Sequence, residues 1–131
     1  MTASGQPTAA RLGLHPRTAE AIRTRQWETA AQLHCLAGIR EWDPEWLDRH
    51  VLPDGRPQWD SLTGLPLSEG EDVLRDAAWE LGGHRPNHAG VIVRASLLDE
   101  GSHRRLIEAL GIRRQMKVTV AVPSMFEEVL P

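Results

Sequence analysis

The chain has no tyrosine, one phenylalanine, one cysteine, one lysine (Lys117) and one asparagine (Asn87) among its 131 residues. The lone Cys35 excludes an intramolecular disulfide framework and suits a reducing compartment. No apolar run approaches the roughly 20 residues of a membrane-spanning helix, so no membrane partner is expected. Met1-Thr2-Ala3-Ser4-Gly5-Gln6-Pro7 lacks the charged and apolar regions of a signal peptide, and a cytoplasmic location is the expectation. Scarce Lys, Asn, Tyr and Phe beside 14 arginines is the codon signature of a GC-rich genome. A high-GC bacterium or its phage is the expected source. The same bias weakens any reading of the arginines as selected for phosphate.

What the chain does have is tryptophan: Trp27, Trp42, Trp46, Trp59 and Trp79. Four of these precede residue 60, and Trp42-Asp43-Pro44-Glu45-Trp46-Leu47 places two of them four residues apart. Tryptophan buries the largest side-chain area and carries an N–H that needs a partner, so such clusters build small cores or anchor interfaces. A 40% hydrophobic, 25% charged composition is globular rather than disordered. The expected organisation is a disordered arm over 1–14 and a single helix-rich domain over 15–131.

His15-Pro16 offers a helix start. Apolar residues then recur at three- and four-residue steps from Thr18 to Ala37, which predicts a helix there, either continuous or split into two pieces at the polar interruption Arg23-Thr24-Arg25-Gln26, with Gly38 as its stop. Asp43 reads as an N-cap for a short helix from Pro44 to about His50, with Trp42 and Leu47 in the positions of a hydrophobic staple. Leu52-Pro53-Asp54-Gly55-Arg56 is a turn, and Pro57 through Leu67 should be extended and irregular. Ser68 and Glu71 form a capping box before the stripe Val73, Leu74, Ala77, Ala78 and Leu81, which predicts a helix over 69–81 closed by Gly82-Gly83. His84 to Gly90 is a loop. Val91-Ile92-Val93 suits a strand or a helix. A further helix over about 100–110 should stop at Gly111-Ile112. Alternation of Met116, Val118, Val120 and Val122 with Lys117, Thr119 and Ala121 predicts a strand over 116–122. The fold class expected is therefore α+β: a helix-dominated small domain with about four helices and a short β element near the C-terminus.

Charge falls in blocks: +3 over 1–25, −7 over 26–90, +3 over 91–122 and −2 over 123–131, for a net −3. Internal neutralisation of the acidic middle by its basic flanks is the simplest account. No P-loop, G-x-G-x-x-G, G-x-S-x-G or HEXXH occurs. His84 and His88 are two imidazoles four residues apart with no second ligand pair, short of the four ligands of a closed zinc site. Any likeness of His84, Asn87 and His88 to H-N-H nucleases is superficial, because that motif spreads its ligands over separate elements. No metal, cofactor or catalytic residue is expected. Convergence of Asp43, His50 and the 84–88 imidazoles on one pocket would instead mark a catalyst.

The expected function is a small non-enzymatic cytosolic interaction or accessory protein. It would work by protein–protein contact, with another protein or a second copy, through Trp42, Trp46, Trp59 and the Val118 and Val120 strand. The alternative is a DNA-binding regulator of winged-helix or helix-turn-helix type using Arg104, Arg105, Arg113, Arg114 and Lys117. A small metal-dependent hydrolase or nuclease is the second alternative.

Overall fold

The computed structural model describes residues 14–85 and 91–118. Among them every regular element is helical: α1 (Pro16–Arg23), α2 (Trp27–Ala37), α3 (Pro44–Asp48), α4 (Trp59–Leu62), α5 (Glu69–Leu81), α6 (Val91–Arg94) with a 3-10 turn (Ala95–Leu97), and α7 (Glu100–Val118). The only β pairing among the described residues is an isolated bridge between Val51 and Pro57. It closes the Leu52–Arg56 turn, whose Leu52 N–H donates to Arg56 O at 2.8 Å.

α2 is the axis of the fold. Ala30 through Ala37 are all buried, including Gln32 and His34, and the helix packs against α1, α5 and α7. A helix covered on all sides needs no polar face, which is why Leu33, Cys35 and Leu36 can be consecutive core positions but for one histidine. α1 is anchored at its start by His15. The His15 Nδ1 accepts from Arg17 N–H (3.0 Å) while Nε2–H donates to Pro44 O (2.9 Å), tying α1 to α3. The polar interruption does divide the helical stretch. Arg25 N–H donates to Ile22 O and Gln26 N–H to Ala21 O (2.9 and 2.8 Å), a Schellman end with arginine at the left-handed position, φ 61°, where glycine is usual. Within α1, Thr18 is fully buried and its Oγ1 has no hydrogen-bond partner. Thr18→Val keeps the shape and removes the orphan hydroxyl. It is expected to raise stability by about 1 kcal/mol, read as a higher urea midpoint at unchanged m-value.

α5 has the predicted bounds and cap: Glu71 N–H donates to Ser68 Oγ (3.3 Å) and Ser68 N–H to Glu71 Oε1 (2.9 Å). Glu71 also pairs with Arg40.

The β element is overturned. Met116-Lys117-Val118 is the last turn of α7, and Val120 lies outside the described residues. Gly111 does not stop the helix. A glycine inside a helix costs about 1 kcal/mol relative to alanine, but continuing buries Ile112 completely, worth roughly 1.5–3 kcal/mol. Burial wins, and the helix continues through the first three residues of the 116–122 alternation. Val91-Ile92-Val93 is helical as well: Arg94, one turn on, donates to Asp76 Oδ2 (2.7 Å) and Asp72 Oδ2 (3.0 Å), locking α6 onto α5.

Three smaller expectations also give way. Residues 57–67 include the single helical turn α4. Asp43 occupies the N-cap position of α3, but its carboxylate accepts from Arg49 Nη2 (3.2 Å) rather than from the helix. No staple forms, because Leu47 is buried while Trp42 is 79% exposed.

Candidate functional site

α7 carries adjacent apolar residues, Leu106 and Ile107, and a helix can turn only one of them inward. Leu106, Ala109 and Ile112 face α2, whereas Ile107 and Leu110 remain 53% and 50% exposed. Together with Ala77 and Leu81 of α5 and Val91 at the start of α6 they line an apolar groove of about 520 Å³. Glu80 stands in its wall, its carboxyl pushed upward first by burial and then by the Asp76 charge. The Arg94 clamp on Asp72 and Asp76 fixes α6 as one side of the groove.

Behind this groove, the α2–α7 seam holds a polar chain. The Glu108 carboxylate can only accept, so His34 Nε2–H donates to it (2.7 Å). His34 Nδ1 then faces Arg105 Nη1 (3.3 Å), which also donates to His34 O (3.0 Å), and Arg105 Nη2 reaches Glu41 (2.6 Å). Neutral His34 is thus satisfied on both nitrogens, and protonation would aim a second N–H at a guanidinium. Burial, the largest effect, holds the His34 pKa below 6.5, and its bond to His34 draws the Glu108 pKa below 4.5.

Both shifts act in the same direction. As pH falls through 6.5 the unfolded chain takes up a proton that folded His34 refuses, and below 4.5 unfolded Glu108 does likewise. Stability present at neutral pH is therefore lost on acidification, at up to about 1.4 kcal/mol per pH unit for each proton. Urea melts of wild type and His34→Gln between pH 7 and 5 check this: the wild type should lose stability and the variant should lose less.

The residues singled out in the sequence are scattered. Arg105 is buried in the seam, and Arg113 donates to Leu81 O (2.7 Å) and pairs with Glu28 (3.1 Å). Arg104 and Arg114 are exposed, and Lys117 is in the last turn of α7. Trp46 is half-buried beside His50 (ring centroids 4.7 Å) under Arg40. Trp59 packs edge-on against Trp79 (5.1 Å), which stacks on His84 (4.0 Å). Only Trp42 stands free as an exposed indole.

No protein-family model, curated protein or solved structure matches this chain.

Among the described residues no three His, Cys, Asp or Glu side chains are grouped to hold a metal ion; His88 lies outside them. Asp43 lines a cleft beside His15 and Leu47, His84 lines a separate cavity beside Trp59, and His50 lines neither. The sequence reading missed one Ser–His contact, His50 Nδ1 to Ser61 Oγ at 2.8 Å. Ser61 Oγ also lies 3.1 Å from Gln58 O, so the backbone carbonyl competes with His50 for its proton. The charge blocks do neutralise one another: Arg17 with Asp48, Arg105 with Glu41, Arg113 with Glu28. No helix among the described residues is long and apolar enough to cross a membrane.

Proposed function

We propose that this protein is a non-enzymatic cytosolic interaction module that takes an acid-flanked amphipathic helix of another protein into the α5–α6–α7 groove. The observation that carries the reading is the pair Ile107 and Leu110, half-exposed beside an apolar groove walled by three helices. Such grooves read partners through apolar anchors at i, i+3, i+4 and i+7. Arg104 and Arg114, one turn before and after the lip, are exposed cations that favour acidic flanks. A second copy suits the groove less well. Antiparallel pairing of two α7 helices about the Ile107–Leu110 midpoint would set Arg104 against Arg113 and His103 against Arg114. Trp42 adds an exposed anchor nearer the N-terminal half.

The test uses two synthetic helices with the same leucine stripe, one flanked by glutamates and one by lysines. The acidic helix should bind and the basic one should not. Ile107→Asp/Leu110→Asp should weaken binding at least about 30-fold with an unchanged circular dichroism spectrum. Equal binding of both helices, or indifference to the substitutions, overturns the reading. Retention on duplex DNA that fades with salt and with Arg104→Ala/Arg114→Ala would instead mark a phosphate-binding face.

A further inference from the structure

On another face, α2, α4 and the chain after α5 enclose a second cavity of about 350 Å³, lined by Gln32, Leu52, Gln58, Trp59, Asp60 and His84. Its size lies at the lower end of small-molecule sites. Gln32 is only 6% exposed, yet its carboxamide makes no hydrogen bond to any described residue. A Cβ on Gly82 would sit 2.2 Å from its Nε2, so glycine is what lets the amide lie against the end of α5.

The walls are aromatic. Trp59 and His84 meet at 80° with centroids 6.3 Å apart, so a planar ring stacked on one presents its edge to the other. His84 is in turn backed by Trp79, whose Nε1–H donates to Arg85 O (2.7 Å). Arg56 also borders the cavity but is turned to Asp54, with Nε at 2.8 Å from Oδ2. Asp60 is therefore the rim charge without an ion-pair partner among the described residues.

We propose that this cavity binds a planar nitrogen heterocycle of the nucleobase class, uncharged or cationic. The ring stacks in the Trp59–His84 corner, and its donor–acceptor edge is read by the Gln32 carboxamide. A carboxamide offers one acceptor and two donors in one plane, the pairing that Gln makes with a purine edge. Stacking on indole and imidazole tolerates any base, so the edge contact sets the preference. Asp60 disfavours a phosphate at the rim. The site is separate from the α5–α6–α7 groove and stands or falls independently of it.

The experiment titrates the full chain with adenosine, guanosine, cytidine and uridine, following the indole N–H cross-peaks by NMR. At least one nucleoside should shift the Trp59 and Trp79 peaks saturably while Trp42 stays fixed. Gln32→Leu should weaken that binding about tenfold, and His84→Ala about fivefold or more. His84 is exposed, so its variant decides the matter should Gln32→Leu fail to fold. The 5′-monophosphate should bind more weakly than the nucleoside to wild type and equally well to Asp60→Asn. A single-stranded oligonucleotide of the preferred base, bound more tightly than the nucleoside, would place the base in nucleic acid; equal affinity would make the free nucleoside the ligand. No saturable shift with any of the four, or binding indifferent to both Gln32→Leu and His84→Ala, overturns the proposal.

Discussion

Ile112→Ala should cost about 2–5 kcal/mol of unfolding free energy, enough to consume much of the stability of a domain this size. Ile112 is fully buried on the α7 face that packs against α2, the most extensive helix pair in the fold. Truncation leaves a cavity between two helices that carry buried side chains on both sides, and neither can collapse into it without moving the His34–Arg105–Glu108 chain. The result also discriminates between two architectures. Were α7 to stop at Gly111, Ile112 would be a cap contact on the helix end, and losing it would cost about 1 kcal/mol. Urea denaturation at neutral pH distinguishes the two. A loss near the smaller figure would mean that α7 does not run on to Val118.

Alkaline pH should be unusually informative in this chain. Cys35 is fully buried and its thiol is pushed up from 9.0 to about 12 by burial, against a weaker opposing pull from Arg105. Above pH 9 the unfolded chain ionises this thiol while the folded chain does not. The unfolded state then binds fewer protons, and stability falls as pH rises, by about 1.4 kcal/mol per pH unit. In most proteins tyrosines and lysines blur this window. Here there is no tyrosine and a single lysine, and arginine does not titrate. The slope of stability between pH 9 and 11 should therefore report Cys35 almost alone, and Cys35→Ala should flatten it while costing a little packing. A slope unchanged by that substitution would mean that the thiol is not buried as described.

Gly38 shows how a correct local expectation can have a different cause. A helix stop was legible there, but its backbone is right-handed, so it is not the left-handed cap that favours glycine. An added Cβ would lie 2.4 Å from Arg105 Cδ. The glycine makes room for an arginine 67 positions later in the chain, and no local pattern encodes that. Conversely, α5 was readable to the residue because its signals are all local: a reciprocal Ser68–Glu71 cap and one unbroken apolar stripe. The polar interruption at Arg23–Gln26 is local in the same way, but only the Arg25 and Gln26 N–H bonds show that it divides the helix.

Both candidate sites were poorly legible. Leu106, Ile107 and Leu110 read as one apolar stripe, and only the position of α2 shows which of them is left over. Gln32 sits among core residues, and nothing nearby in sequence announces that its amide faces a cavity. The arginines of α7 looked like one basic patch, but Arg105 points inward and Arg113 caps α5.

Composition and local spacing alone therefore settled the starts of α1, α3 and α5, the turn at Leu52–Arg56 and the lack of a disulfide framework. These depend on interactions within a few residues, which a sequence displays directly. The all-helical architecture of the described residues, the run of α7 through Gly111 and the outward turn of Ile107 and Leu110 were decided by packing against α2. Burying Ile112 there outweighs the intrinsic preferences of Gly111 and of a short alternating segment, and that comparison exists only once distant parts of the chain are in contact.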